Sequence, residues 1–157
     1  MCLAQDSTTP SSTFLLANFV PFRLNRLADA VSQDLSQIYR DRFGLEIPEW
    51  RVLVTVGQRR DCTAQHVAAS TRMHKTRVSR AVASLTRRKL TGRIAGAADG
   101  RELRLRLTKA GQRVYDVLVP LALERERALL AKIGDDHAQR FIAALAEFEG
   151  ALGLNDE

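Results

Sequence analysis

The amino-terminal part of the chain carries hydrophobic residues at the spacing of an amphipathic helix. Over residues 21–43 they recur at steps of three and four, so one helical face is apolar. Pro21 suits the first turn of this helix, and Gly44 is a good stop because glycine tolerates a left-handed conformation. Pro48 then opens a second predicted helix over residues 49–58.

Two further helical patterns lie close together in the middle of the chain. Thr63 is a candidate N-cap for a short first helix, and a turn around residues 71–74 leads to a second helix over residues 73–90. The inward side of that second helix carries Val78, Ala81, Val82 and Leu85. Its outward side carries Thr76, Arg80, Ala83 and Arg87. Two short helices joined in this way are typical of a helix-turn-helix, whose second helix enters the DNA major groove.

Downstream of these helices the hydrophobic period changes to two. Leucines at 103, 105 and 107 alternate with arginines, as in a half-buried strand, and residues 91–96 are its predicted partner. The dipeptide Asp99-Gly100 predicts the hairpin turn between them. A basic hairpin after a recognition helix is a wing, and Arg101 near its tip suits a narrow minor groove. The alternative, that Arg101 only pairs with Asp99 on the surface, is compatible with this role.

The last third of the chain predicts two more helices. Thr108 can cap a long helix in which Pro120 should introduce a kink, and Gly134 separates it from a final helix. The final helix carries a stripe of Phe141, Ile142, Leu145, Phe148 and Leu152. Terminal helices this apolar would be poorly covered within one protomer, so we expect them to be exchanged with a second chain. A bundle within one chain is the alternative.

Positive charge is concentrated in residues 72–109. These 38 residues hold twelve Lys and Arg and only two acids, while the whole chain of 157 residues has a net charge of +6. The rest of the chain is therefore net negative. A charged face on an ordinary surface helix usually mixes signs, whereas a focused basic surface suits the phosphates of a nucleic acid.

The order of these residues resembles the MarR family of bacterial winged-helix regulators. The resemblance is carried by residues 73–80, by the Leu85-x-x-Arg88-x-Leu90 motif, and by residues 48–53. Its most specific part is the wing, where Asp99-Gly-Arg101 is followed by Leu105-x-Leu107-Thr108-x-x-Gly111. The resemblance implies an obligate homodimer that binds a pseudo-palindromic operator, usually as a repressor released by a small ligand or by oxidation.

We therefore expect a mainly α fold with a small β-hairpin, made of a winged helix-turn-helix domain and N- and C-terminal dimerisation helices. Residues 1–13 are predicted to be a mobile leader and residues 14–157 one unit. Within that unit, residues 46–108 form the winged domain, and residues 14–45 and 109–157 form the dimerisation helices.

The candidate DNA contacts follow from the outward face of the second helix and from the wing. Small residues let the helix lie close to the groove, while arginine can bind guanine or clamp phosphate. Residues expected at base edges are Thr76, Arg77, Ser79 and Arg80. Those expected at phosphates are Lys75, Arg87 and Arg88, and Arg101 is expected in the minor groove.

The effector is predicted from aromatic residues near arginines. The resemblance implies a ligand cleft between the dimerisation helices and the winged domain, and the candidate residues are Phe22, Arg23, Arg26, Trp50 and Tyr115. Aromatic rings beside an arginine suit a planar aromatic carboxylate or its thioester conjugate. Residues 18–23 resemble those of members that respond to hydroxycinnamoyl-CoA or related lignin-derived aromatics. The alternative is that each aromatic ring belongs to the core.

Other function classes have little support. No nucleophile–base pair with an orienting acid is evident, so we expect no enzyme, no catalytic residue, no metal and no cofactor. No apolar run approaches the length of a membrane span, and two cysteines do not make a disulfide framework, so we expect a cytoplasmic protein.

Two alternatives to a ligand-responsive repressor remain. One is a redox-sensing repressor switched by oxidation of Cys62 or Cys2, and the other is a non-specific architectural DNA-binding protein.

Overall fold

The computed structural model describes residues 14–95 and 103–154. After a short 3-10 turn, Leu16–Asn18, these residues form helices and strands in the following order: α1 (Val20–Phe43), α2 (Ile47–Arg59), β1 (Asp61–Thr63), α3 (Ala64–Thr71), α4 (Lys75–Arg87), β2 (Thr91–Ala95), β3 (Leu103–Leu107), α5 (Lys109–Ala131) and α6 (Asp135–Ala151). The predicted fold class, mainly α with a small β component and a winged helix-turn-helix, is confirmed. The proposed leader, Cys2 and the hairpin turn with Asp99, Gly100 and Arg101 lie outside the described residues.

The chain divides after Asp34 into two compact units. The described part of the first unit contains the 3-10 turn and the beginning of α1, with Pro21 in the first turn as predicted. Its large apolar side chains are exposed: Phe14, Leu15, Leu16, Phe19, Val20, Leu24, Leu27 and Val31. The described residues of the first unit leave this apolar surface uncovered.

The second unit begins at Leu35 and contains the winged domain with α5 and α6. Its core surrounds α2, whose Val52, Leu53 and Val56 are fully buried. Gly57 on the same helix allows the ring of Tyr115 on α5 to lie so close that a Cβ atom at residue 57 would overlap it. The helices α2 and α5 are therefore joined by a glycine–aromatic contact.

The helix ends follow local side-chain chemistry. Thr63 and Thr108 cap α3 and α5 as predicted, because each hydroxyl accepts a hydrogen bond at 3.0 Å, from the backbone N–H of His66 and of Gly111 respectively. The second helix of the motif is shorter than the predicted residues 73–90. It begins at Lys75 and ends at Arg87, and Lys89 beyond it has a left-handed φ of 58°.

The sheet has three strands rather than the predicted two. Its order is β1-β3-β2 with antiparallel pairs, and Cys62 lies in β1 opposite Leu105. A strand of three residues shows too little alternation to be seen in the sequence. It exists because β3 offers it a hydrogen-bonding edge.

The base of the wing is closed by hydrogen bonds to the end of the preceding segment. The backbone N–H of Thr108 donates to the carbonyl of Leu90 at 3.0 Å, and its hydroxyl donates to the carbonyl of Lys89 at 2.6 Å. Gly111 is packed against the same Leu90 carbonyl, so closely that a Cβ atom would overlap the oxygen. The two ends of the hairpin are thus held together where α5 begins.

Candidate nucleic-acid interface

Helix α4 buries one face and exposes the other, as its sequence predicted. Val78, Ala81, Val82 and Leu85 are at most 4% exposed and pack in the core of the second unit. The opposite face exposes Lys75, Thr76, Arg77, Ser79, Arg80 and Arg87. This face contains hydroxyls and guanidinium groups and has no carboxylate of its own, because α4 contains no Asp or Glu.

The turn before α4 forms without glycine. Arg72 takes the left-handed conformation with a φ of 54°, and its N–H donates to the carbonyl of Ala69 at 3.3 Å. His74 then caps α4, since its Nδ1 accepts from the backbone N–H of Thr76 at 3.3 Å. The first turn of α4, with Lys75 and Thr76, therefore emerges directly from a tight corner, as the first turn of a DNA-reading helix must.

The wing strand carries arginines that are held by a carboxylate. Asp61 on β1 accepts from Nε of Arg104 at 2.6 Å and from Nη2 of Arg106 at 3.4 Å. The hydrogen bond from Arg104 lowers the pKa of the Asp61 carboxyl group below its usual value. Part of the basic charge of residues 72–109 is therefore neutralised within the fold. Sequence reasoning missed this pairing because the partners are more than forty residues apart.

Arg88, predicted to hold a phosphate, makes hydrogen bonds within the fold. Its guanidinium donates to the carbonyls of Gly44, at 3.0 Å, and Phe43. The same group lies 3.8 Å from the carboxylate of Glu49. Arg87, next to it, remains exposed and makes one long hydrogen bond to Ser84 at 3.4 Å. The two neighbouring arginines are therefore in different situations: Arg88 is bound to backbone carbonyls of a distant turn, whereas Arg87 is hydrogen-bonded to Ser84 on its own helix.

Comparisons with known proteins agree with this geometry. The MarR family model matches residues 43–102, which run from the end of α1 through β2 and stop before β3. A MarR/EmrR family transcriptional regulator from Acinetobacter sp. ADP1 is 25% identical, with a TM-score of 0.78 over 90% of this chain and 100% of its own. A MarR family transcriptional regulator from Silicibacter pomeroyi DSS-3 is 27% identical, with a TM-score of 0.78 over 88% of this chain and 98% of its own.

The chain is similar to the MarR family over residues 43–102, and it shares its fold with solved MarR family regulators.

A more distant structural relative is CouR from Rhodococcus jostii RHA1 bound to p-coumaroyl-CoA, which is 19% identical with a TM-score of 0.71 over 85% of this chain and 92% of its own. At that identity the likeness concerns the fold.

No protein with a curated description matches the sequence. None of the described helices is long and apolar enough to cross a membrane.

The MarR-type ligand residues predicted from the sequence fall in both units. In the first unit, the guanidinium of Arg26 lies 5.8 Å from the centre of the Phe22 ring, and Arg23 is exposed. In the second unit, Trp50 stacks on the buried ring of Tyr39 with their centres 5.4 Å apart and their planes at 9°. Tyr115 packs at Gly57. Trp50 and Tyr115 both pack against the core, and Trp50 keeps part of its surface accessible.

Cys62 lies in an environment opposite to that of a reactive thiol. It is 3% exposed, and burial raises its pKa above the usual value despite the nearby Arg104. A redox-sensing cysteine needs a lowered pKa and access to oxidant. Arg59, which precedes Cys62 in sequence, also acts to lower the pKa, but the effect of burial is larger. Among the described residues, no three His, Cys, Asp or Glu side chains come together as a metal site.

Proposed function

We propose that this protein is a MarR-family regulator, a homodimeric, sequence-specific repressor in the cytoplasm that releases its operator when an anionic aromatic ligand binds. The observation that carries the proposal is the exposed face of α4, which combines Arg77 and Arg80 with the small side chains of Thr76 and Ser79. Long guanidinium groups beside small residues allow close approach to a groove and hydrogen bonding to base edges.

The proposed contacts fall into two groups. Thr76, Arg77, Ser79 and Arg80 read base edges, because they lie on the exposed face of the first turns of α4. Lys75 and Arg87 hold phosphates on either side, and Arg101, from the sequence of the wing, inserts into the minor groove. Arg88 is left out of the proposed contacts because its guanidinium is bound to the carbonyls of Phe43 and Gly44.

Dimerisation is supported by apolar surface near both ends of the chain. In the first unit, Val20, Leu24 and Leu27 line an open groove of about 640 Å³. In the second unit, α6 exposes Phe141, Ile142, Leu145 and Phe148 by 39–50%. Four large apolar side chains on one helix form a surface that a monomer would leave in contact with water, and a second copy would cover it.

The effector class is supported by chemistry and by one relative. Trp50 provides a flat apolar surface backed by Tyr39, and p-coumaroyl-CoA is the ligand of CouR. Aromatic acids and their CoA thioesters are therefore the compounds to test first, with hydroxycinnamoyl-CoA as the leading candidate. The residues Phe22, Arg23, Arg26, Trp50 and Tyr115 stay predictions for its recognition.

The test is a mobility-shift assay on the DNA that flanks the gene of this protein. We expect a shifted complex that survives an excess of random duplex and disappears with an aromatic acid or its thioester. Equal competition by random and flanking DNA would establish the architectural alternative instead. Release by mild peroxide, prevented by Cys62→Ser, would establish the redox alternative.

A further inference from the structure

Arg88 connects the end of α4 to a distant corner of the second unit. It is the C-cap residue of α4, and its guanidinium leaves the helix to reach the turn between α1 and α2. There, Nη1 donates to the carbonyl of Gly44 at 3.0 Å and Nη2 donates to the carbonyl of Phe43. The two acceptors are consecutive backbone carbonyls, which the planar fork of a guanidinium can engage together.

The chemistry of the acceptors explains why a cation is present at this point. Phe43 is the last residue of α1, where carbonyls lack partners within the helix and the helix dipole is negative. Gly44 follows with a φ of 56° and turns the chain toward α2. A positive group bound here stabilises the end of α1 and fixes the direction in which the chain leaves it.

Glu49 adds a second reason for the charge of Arg88. Its side chain is 11% exposed, and its Oε2 accepts from the backbone N–H of Glu46 at 2.8 Å in the capping box of α2. Nη1 of Arg88 lies 3.8 Å from the same oxygen. A buried carboxylate of this kind requires a nearby cation. The guanidinium of Arg88 therefore connects the end of α4 to the last turn of α1 and to the first turn of α2.

We infer that Arg88 is a positioning residue for DNA recognition. By binding the α1–α2 corner, it sets the orientation in which α4 presents Arg77 and Arg80 to the groove, and it does not bind DNA itself. The inference rests on the proposed function, in which α4 reads the operator. Loss of the fork would let the end of α4 move, and base-edge hydrogen bonds are lost when donor and acceptor shift by a fraction of an ångström.

The experiment compares Arg88→Gln with Arg87→Gln. The second variant removes the same charge from the adjacent residue, whose guanidinium hydrogen-bonds to Ser84 on its own helix. Each variant is titrated onto the operator and onto a random duplex over a range of salt concentrations, under conditions where circular dichroism shows it folded. A lost phosphate contact lowers the slope of log K against log salt by about 0.9 on both duplexes. We expect this result for Arg87→Gln.

For Arg88→Gln we expect a different pattern. Binding to random duplex and its salt slope should stay unchanged, while operator affinity should fall by about tenfold, the loss of one good base contact. Specificity, the ratio of the two affinities, should therefore fall with Arg88→Gln and stay nearly constant with Arg87→Gln. A lowered salt slope on random duplex with Arg88→Gln would show a phosphate contact and overturn the inference.

Arg88→Lys keeps the positive charge but removes the planar guanidinium with its paired donors. A single ammonium cannot engage both carbonyls in the same geometry, so specificity should be only partly restored relative to Arg88→Gln. Full restoration by lysine would show that charge alone is sufficient and would contradict the inference, as would lowered stability with unchanged specificity. This variant also provides the test if Arg88→Gln does not fold. Absence of operator preference in the unmodified protein would instead refute the proposed function.

Discussion

The carboxylate of Asp61 lies 2.6 Å from Nε of Arg104 and joins the segment before α3 to the central strand of the sheet. In the register of β1 and β3, Arg104 stands opposite Thr63 and Arg106 opposite Asp61, so the bond to Arg104 runs diagonally between the strands. The start of the helix-turn-helix and the wing are therefore fastened to each other by an ion pair as well as by the backbone.

Because of this ion pair, the stability of the protein should decrease as the pH falls. The hydrogen bond from Arg104 lowers the pKa of folded Asp61, so its stabilisation is present above the unfolded pKa, about 3.9, and is lost as pH falls through the folded value. Asp61→Asn should therefore reduce the fall in unfolding free energy on acidification. Chemical denaturation at several pH values measures this fall in unfolding free energy, with Asp41→Asn as the control. Parallel pH profiles for Asp61→Asn and the unmodified protein would contradict the prediction.

Arg80→Ala should lower operator affinity and relax sequence preference at one base position. A bidentate contact between arginine and guanine contributes ~1–3 kcal/mol of discrimination. The measurement is a mobility shift over operators with single base changes. Arg127→Ala, which removes the same charge from an exposed position on α5, should leave affinity nearly unchanged. Arg80→Ala with unaltered affinity and preference would remove this residue from the interface.

Gly57→Ala should destabilise the protein although alanine favours helix formation. The added methyl group would overlap the ring of Tyr115, and moving a packed ring should cost about 1–3 kcal/mol. Gly92→Ala is the matched control, because a Cβ atom there meets no atom within 4 Å. Thermal unfolding should show the lower midpoint only for Gly57→Ala. Equal midpoints would mean that Tyr115 moves without cost.

Removal of the chain after Gly134 should abolish dimerisation and tight operator binding. The deletion eliminates α6 and its exposed Phe141, Ile142, Leu145 and Phe148. Light scattering measures the molecular mass, and Ile142→Glu in the full chain tests the same surface without a deletion. Because a charged group would have to be buried in the interface, this variant should also be monomeric. A compact dimer in both cases would place the interface elsewhere.

Aromatic acids or their CoA thioesters should change the fluorescence of Trp50 and release the operator. The protein has a single tryptophan, so the signal has one source, and the stack on Tyr39 makes it sensitive to a nearby ligand. The coupling between ligand and DNA should be ~1–3 kcal/mol, a loss of about 5–150-fold in operator affinity. Trp50→Phe controls for inner-filter effects. Operator release without any change in Trp50 emission would place the ligand at another site.

Short-range chemistry was well predicted from the sequence. The caps at Thr63 and Thr108, the stop at Gly44 and the two faces of α4 depend on neighbouring residues, and the structure confirms them. Contacts between distant residues were not predictable in the same way. β1 exists only beside β3, and Arg88 reaches carbonyls more than forty residues away, so neither leaves a local pattern. Arg87 and Arg88 are identical in type, and only the fold distinguishes them.

The closed base of the wing has a consequence for insertions. Thr108 is bound to both Lys89 and Leu90, so the chain leaves and re-enters the domain at nearly the same place. Extra residues between Ala95 and Leu103 should therefore leave α4 and α5 in place. Each doubling of the length of a flexible connecting segment costs only about 0.6 kcal/mol in closure entropy. An insertion here should therefore leave the protein folded while it displaces Arg101, the proposed minor-groove contact.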